Sequence, residues 1–297
     1  MNAQQPSLPL LAALLLAAAP ALAAPSHTGT WSASVEDNQL QLSLRTKGEH
    51  GNQMSSSVPL TAFQGLSTAN GSSAPFQLTR EAGTFQFQGS FATGEGAGHF
   101  QFEPSEAYAR SMAALGYPKL TPDEHYQLAL FDITTTRVKE LAALGYKDIP
   151  LEQLLQVGIF QVTPEFIRTL ASLGYTKLSL EQLVQCRIHG VSAERIRALA
   201  AEGYKNLDLD TLMAMSIHGV SPEFIREMRS LGFKELSTED LVAFRIHGVT
   251  PQFVREIRDM GYPNVTAEDL VKLRIHGIDS DYMRALTGGK VETRKKH

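Results

Sequence analysis

Between residues 28 and 103 apolar side chains fall on alternate positions. Trp31, Ala33 and Val35 share one side, followed by Leu40, Leu42 and Leu44, then Phe76 and Leu78, then Phe85, Phe87 and Phe91, then Phe100 and Phe102. Gln, Ser and Thr occupy most intervening places, a period-two pattern that half-buried antiparallel strands produce. Glu36-Asp37-Asn38, Glu81-Ala82-Gly83 and the run Gly94-Glu95-Gly96-Ala97-Gly98 separate the runs and read as hairpin connections. This predicts about five strands in a meander, curled into a small sandwich or partial barrel. Residues 47 to 74 are rich in Ser and Gly and are expected to be loop, with one strand near Val58 to Phe63. The aromatic residues are read as the core of this small domain in preference to the lining of a ligand pocket.

After Pro104 the period changes. Gly116, Gly145, Gly174, Gly203, Gly232 and Gly261 recur every 29 residues, each followed by an aromatic: Tyr117, Tyr146, Tyr175, Tyr204, Phe233 and Tyr262. A fixed period of this size marks stacked supersecondary units. Each unit contains two short helices. The first starts at Thr121, Pro150, Ser179, Asp208, Ser237 or Thr266, and the second at Ser105, Thr134, Thr163, Ser192, Ser221, Thr250 or Asp279. All of these except Pro150 are good N-caps, and Pro164, Pro222 and Pro251 occupy the first helical position, where no N–H is needed. The glycine suits the left-handed residue that ends the second helix. The apolar stripe of the first helix is read as Leu180, Leu183, Val184 and Cys186 in one unit and Leu241, Val242, Phe244 and Ile246 in another. The fold class is therefore α+β: a small antiparallel β domain followed by an α-solenoid of 29-residue helical hairpins.

The 297 residues divide into a signal peptide (1–23), the β domain (24–103), the helical repeats (104–289) and a basic tail (290–297). The address is read from the Leu/Ala run Leu8–Ala19, ended by Pro20 and followed by the small-residue site Ala21-Leu22-Ala23. The run is too short to span a bilayer, which takes ~20 apolar residues. The expected location is periplasmic or secreted, with no stable membrane insertion after cleavage. A formal charge of −4 argues against nucleic-acid binding. The single cysteine, Cys186, excludes an internal disulfide framework, and its equivalents Leu128, Val157, Met215, Phe244 and Leu273 place it in a core slot.

Two sets of charges repeat. Arg110, Lys139, Arg168, Arg197, Arg226, Arg255 and Arg284 take one position of every second helix, and Asp123, Glu152, Glu181, Asp210, Glu239 and Glu268 take one position of every first helix. They are expected to bridge each other. Four units end their first helix in Ile-His-Gly, giving His189, His218, His247 and His276, with Arg187, Arg245 and Arg274 two residues earlier and Ser216 interrupting. These histidines suit the negative end of a helix. Adjacent units stack about 10 Å apart, so they cannot share one metal ion. Together the seven residues form the candidate face for a ligand or partner: a protein, a peptide or an anionic envelope polymer. No metal, cofactor or catalytic constellation is expected, since the sequence holds no zinc-protease motif, nucleophile elbow or phosphate-binding glycine loop.

The stretch Gly96 to Phe102 and the repeat unit Leu241 to Arg258 resemble the extracytoplasmic C-terminal repeats of some membrane metallopeptidases of the beta-lactam-sensor (antirepressor) class, and of small exported relatives without the peptidase. The membrane helices and zinc motif of those peptidases do not occur in this sequence, so no catalytic residue transfers. The resemblance implies a role beside an envelope sensor or its peptidase. The expectation is a non-enzymatic binding or scaffold protein. The alternative is an envelope hydrolase with its site where the β domain meets the repeats, using His99 or His125.

Overall fold

The computed structural model describes residues 26–47, 52–279 and 281–283. The expected signal peptide, the basic tail and Arg284 lie outside these residues.

Seven strands form one antiparallel sheet: β1 (His27–Glu36), β2 (Gln39–Thr46), β3 (Gln53–Pro59), β4 (Phe63–Gln64), β5 (Phe76–Arg80), β6 (Gly83–Ala92) and β7 (Glu95–Pro104), in the order β3-β2-β1-β7-β6-β5-β4. The alternating residues named above line one face. Leu40, Leu44, Leu78, Phe85, Phe87 and Phe102 are fully buried there. The sheet curls over that face. Strands β1 and β5 stand three places apart, about 14 Å in a flat sheet, yet the rings of Trp31 and Phe76 meet edge to face at 5.3 Å. Glycine makes the curl possible. Trp31 sits opposite Gly98, which pairs with Gly89, and a Cβ on Gly89 would lie 2.7 Å from the indole ring. The indole Nε1–H then donates to the Gln88 carbonyl at 3.1 Å.

Two expectations for the sheet change. Residues 53–57 are strand where loop was expected, and the strand expected near Val58 to Phe63 is broken by a 3-10 turn at Leu60–Ala62, because β3 closes the edge by pairing with β2 from Gln39↔Pro59 to Arg45↔Gln53. Its Ser-rich composition suits an edge with little to bury, and only Val58 is buried. The glycine run 94–98 is not a connection: the turn is Thr93-Gly94, both at positive φ, and Glu95 already pairs in β7. Gly96 and Gly98 read as loop, but Gly96 is bare backbone under the Phe91 ring and Gly98 lies against the Gln88 carbonyl of β6.

Among the described residues twelve helices follow, each of nine residues: α1 (Glu106–Ala114), α2 (Pro122–Leu130), α3 (Thr135–Ala143), α4 (Leu151–Ile159), α5 (Pro164–Ser172), α6 (Leu180–Ile188), α7 (Ala193–Ala201), α8 (Leu209–Ile217), α9 (Pro222–Ser230), α10 (Thr238–Ile246), α11 (Pro251–Asp259) and α12 (Ala267–Ile275). The chain forms two compact units. One holds the sheet, α1 as far as Ser111, and Pro118–Leu130; the other holds Met112–Tyr117 and the chain from Phe131 onward.

In the first unit α2 packs on β6 and β7. Buried Tyr126 lies among Phe85, Phe100 and Phe102 and stacks on His27 at 4.6 Å. The His27 ring is held by Asp123 at 2.7 Å and Ser26 at 3.0 Å.

In the second unit helices of one kind stack on the next of their kind. Helix α6 lies on α4 and α10 lies between α8 and α12, while α5 stacks on α3 and α11 on α9. Nine residues are too few for a stable isolated helix, so stacking and capping hold them. Side chains of Thr134, Thr163, Ser192, Ser221 and Thr250 each accept the N–H three residues on. Ser105 and Asp279 do the same at the two ends of the series. Reciprocal capping boxes form at Ser179, Ser237 and Thr266, and Pro150 makes no side-chain cap. Gly145 at φ 101° lets Tyr146 N–H return to the Leu141 carbonyl, closing α3 in a Schellman motif.

The tyrosines also reach forward. The hydroxyls of Tyr117, Tyr146, Tyr175 and Tyr204 donate to the carbonyls of Ile149, Leu178, Leu207 and Leu236 at 2.7–2.8 Å, each just before the first-type helix after next (α4, α6, α8 and α10). Burial raises the pKa of all four phenols.

Candidate interaction face

The Ile-His-Gly motif is the C-terminus of a helix. Ile188, Ile217, Ile246 and Ile275 are last helical residues, His189, His218, His247 and His276 are C-caps, and the following glycines take φ of 66–69°. The four histidines therefore line one edge of the first-type layer. His189 Nε2 lies 3.1 Å from Gln185 Oε1 one turn back.

The three arginines of the candidate face sit on the same edge, and their head groups are engaged within the array. Arg187, Arg245 and Arg274 donate through Nε to the carbonyls of Phe160, His218 and His247, the C-caps of the preceding unit, at 3.0–3.2 Å. Each guanidinium also lies 5.1–5.2 Å from a ring centre of that unit: Phe166, Phe224 or Phe253.

This explains the interruption at Ser216. The residue equivalent to Phe166 and Phe224 is Arg195, which faces Ser216's unit. Arg195 donates to the carbonyls of Met215 and Val220 at 3.1 and 2.7 Å. The cation at this interface comes from the second-type helix, and its partner position shrinks to Ser216. The same residue pairing recurs in the sequence at Arg137 and Gly158, the equivalents of Arg195 and Ser216. At the four interfaces of Arg187, Arg195, Arg245 and Arg274 one guanidinium is held, supplied from either side.

The expected bridge between the charge ladders does not form. Arg226 pairs with Glu202 and Glu223 at 2.8 and 2.7 Å, and Arg168 lies 3.9 Å from Glu140. Among the described residues no ion pair joins a ladder base to a ladder acid. The acids occupy the outer face of the first-type layer and the bases the outer face of the second-type layer. Glu202 caps α7 and is gripped by Arg226 and Arg229, which hold its carboxyl below the usual carboxylate range.

Ile246 is a further correction: it was expected on the buried stripe and is 53% exposed. At about 100° per residue it lies some 200° round the helix from Phe244, which is fully buried. The same position is exposed in every unit of the second compact unit: Ile159 45%, Ile188 45%, Ile217 53%, Ile246 53% and Ile275 56%. Its equivalent in α2, Leu130, is 1% exposed within the first unit. Single exposed hydrophobic residues are ordinary. Five isoleucines at one register form a continuous apolar row.

Two more rows run beside it. Residues seven and three before each isoleucine share its face of the helix. The outermost row is acidic (Glu152, Glu181, Asp210, Glu239, Glu268), and the middle one is mostly neutral or small (Gln156, Gln185, Ala214, Ala243, Lys272). From helix N-terminus to C-terminus the face thus reads acid, shallow neutral trough, isoleucine, histidine. The recurrence of Ile before His-Gly carried this signal in the sequence.

Other candidate residues lie in the first unit. His99 is exposed on the polar face of the sheet, in a groove of about 600 Å³ with Thr28, Lys47, Gln86, Gln88 and Gln101. His125 is 7% exposed, packed between Phe102 and Tyr108, and burial lowers its pKa. Cys186 is fully buried and its thiol is pushed up to about 11, which leaves no thiolate at neutral pH. Among the described residues no group of three His, Cys, Asp or Glu side chains is placed to hold a metal ion, and no helix is long and apolar enough to cross a membrane. Compared with known proteins, the chain matches no protein-family model and no curated protein.

Proposed function

We propose that this chain is a non-enzymatic binding or scaffold protein, exported to the cell envelope, whose helical array docks a protein or peptide on its isoleucine row. The observation that carries this reading is the repetition of an exposed, β-branched apolar side chain at one register of five successive helices, in an array whose other apolar positions are largely buried. Folding does not require it, since the C-cap is the following residue and about half of each isoleucine is in solvent. Stacked repeats present long continuous surfaces of this kind. The leader-like N-terminus and the repeat resemblance support a place beside an envelope sensor or its peptidase.

Site-specific photocrosslinking in the producing cell tests the reading. A crosslinker at position 217 or 246 is expected to trap a discrete adduct that disappears when Ile188 is changed to Asp. A crosslinker at Arg197, on the outer face of the other layer, is expected to trap none. Equal adducts from both faces, or adducts indifferent to Ile188→Asp, would overturn it.

A further inference from the structure

The composition of the three rows specifies the partner's chemistry. We infer that the isoleucine row receives a cationic amphipathic segment of another protein, with apolar side chains spaced about 10 Å apart and Lys or Arg between them; this rests on the docking reading above.

The spacing follows from stacking. Neighbouring helices pack 8–10 Å apart, so successive isoleucines offer apolar contacts at that pitch. Two common backbones supply it: every third residue of an extended polyproline-type segment, about 9.3 Å, and every seventh residue of an α-helix, about 10.5 Å.

The charge follows from the acid row. Each ladder acid sits seven residues, two helical turns or about 10 Å, from the isoleucine of its own helix and on the same side. Glu152, Glu181, Asp210 and Glu239 have no ion-pair partner among the described residues, whereas Glu268 is paired with Lys272. Carboxylates without an ion pair therefore span four units, Glu239 accepting the neutral Thr238 hydroxyl at 3.0 Å. In the last unit the lysine occupies the middle row and neutralises the acid. Between the acids and the isoleucines, Ala214 and Ala243 leave a trough that takes a partner side chain without displacing a charged one. The arginines keep their charge, since a carbonyl and a ring are neutral partners, but they sit on the histidine edge, across the isoleucines from the acid row; the cations of the segment therefore face the acid side. An anionic partner would meet four unpaired carboxylates.

Three labelled 18- to 21-residue peptides, titrated against the purified full chain by fluorescence anisotropy, test this. One repeats Leu-Lys-Lys, one carries Leu every seventh residue on an Ala/Lys helix, and one repeats Leu-Glu-Glu. At least one cationic peptide is expected to bind. Its affinity should fall about tenfold in the triple variant Glu181→Gln, Asp210→Asn, Glu239→Gln, and binding should be lost in Ile217→Asp, Ile246→Asp. Circular dichroism of the variants confirms the fold. Binding of the anionic peptide alone, or unchanged affinity in the carboxylate variant, would refute the charge assignment and leave the docking face standing. Cationic binding indifferent to Ile217→Asp, Ile246→Asp would refute the docking face itself. Failure of all three peptides at millimolar concentration would refute the inferred partner.

Discussion

If each interface between units holds one guanidinium from either helix, exchanging its source should be tolerated. The test is the interface where Arg195 replaces the usual phenylalanine and Ser216 the usual arginine. Arg195→Phe removes two charge-assisted bonds, to the carbonyls of Met215 and Val220. The Met215 carbonyl keeps the Val220 N–H at 2.8 Å, so one carbonyl is left unsatisfied. The cost should be about 2 kcal/mol. Ser216→Arg alone drives a second cation into an occupied slot and should cost roughly 1–3 kcal/mol through overpacking and repulsion. The double variant recreates the neighbouring pair, in which Arg245 lies 5.1 Å from the Phe224 ring and donates to the His218 carbonyl at 3.2 Å. It should lie within about 1 kcal/mol of the natural chain, a coupling of roughly 2–4 kcal/mol. Urea titration followed by far-ultraviolet circular dichroism on all four proteins measures it. A double variant destabilised by the sum of the two single changes would refute the exchange, leaving Arg195 an isolated accident of the sequence.

Four further outcomes follow from the packing. Tyr146→Phe and Tyr175→Phe should each cost about 1 kcal/mol in urea titration, for one hydroxyl bond to a part-buried carbonyl. Because burial raises the folded-state pKa of these phenols above 10.0, the unfolded chain ionises first; stability should hold at neutral pH and decline as pH rises past 10, less steeply in the double Phe variant. His125 behaves oppositely: its folded pKa lies below 6.5, so the unfolded chain takes up a proton first, and the sheet unit should weaken as pH falls from 6.5, a dependence reduced in His125→Gln and read by Trp31 fluorescence. Gly98→Ala should disrupt the sheet outright, because the added carbon would sit 1.9 Å from the Gln88 carbonyl oxygen; a folded variant with unchanged Trp31 emission would contradict the close approach.

Much of the architecture was legible because it is local. The 29-residue glycine period, the cap residues and the change from period two to helical spacing are consequences of backbone chemistry within a few residues, and the structure reproduces the caps at Ser105, Thr134, Thr163, Ser192, Ser221, Thr250 and Asp279. The core position of Cys186 was legible for the same reason, since repetition showed which residue types share its slot. Strand β3 was not, because an edge strand of Ser and Gln carries almost no apolar signal until β2 pairs with it. Nor were the bare glycines 96 and 98, which look like turn residues unless the Phe91 ring over the one and the Gln88 carbonyl against the other are known.

The candidate face divides in the same way. From sequence alone come the histidine, arginine and acid series and the end of the helix on which each residue sits. Only the tertiary structure decided what those residues do. It turned the arginines onto carbonyls and rings of the preceding unit, set the acids and bases on opposite outer faces, and exposed the isoleucine row, of which Ile246 had been assigned to the core. A repeat fixes position along a helix through local hydrogen bonds. Which side of that helix meets solvent depends on how neighbouring units stack, and that contact is written in residues 27 to 29 positions away.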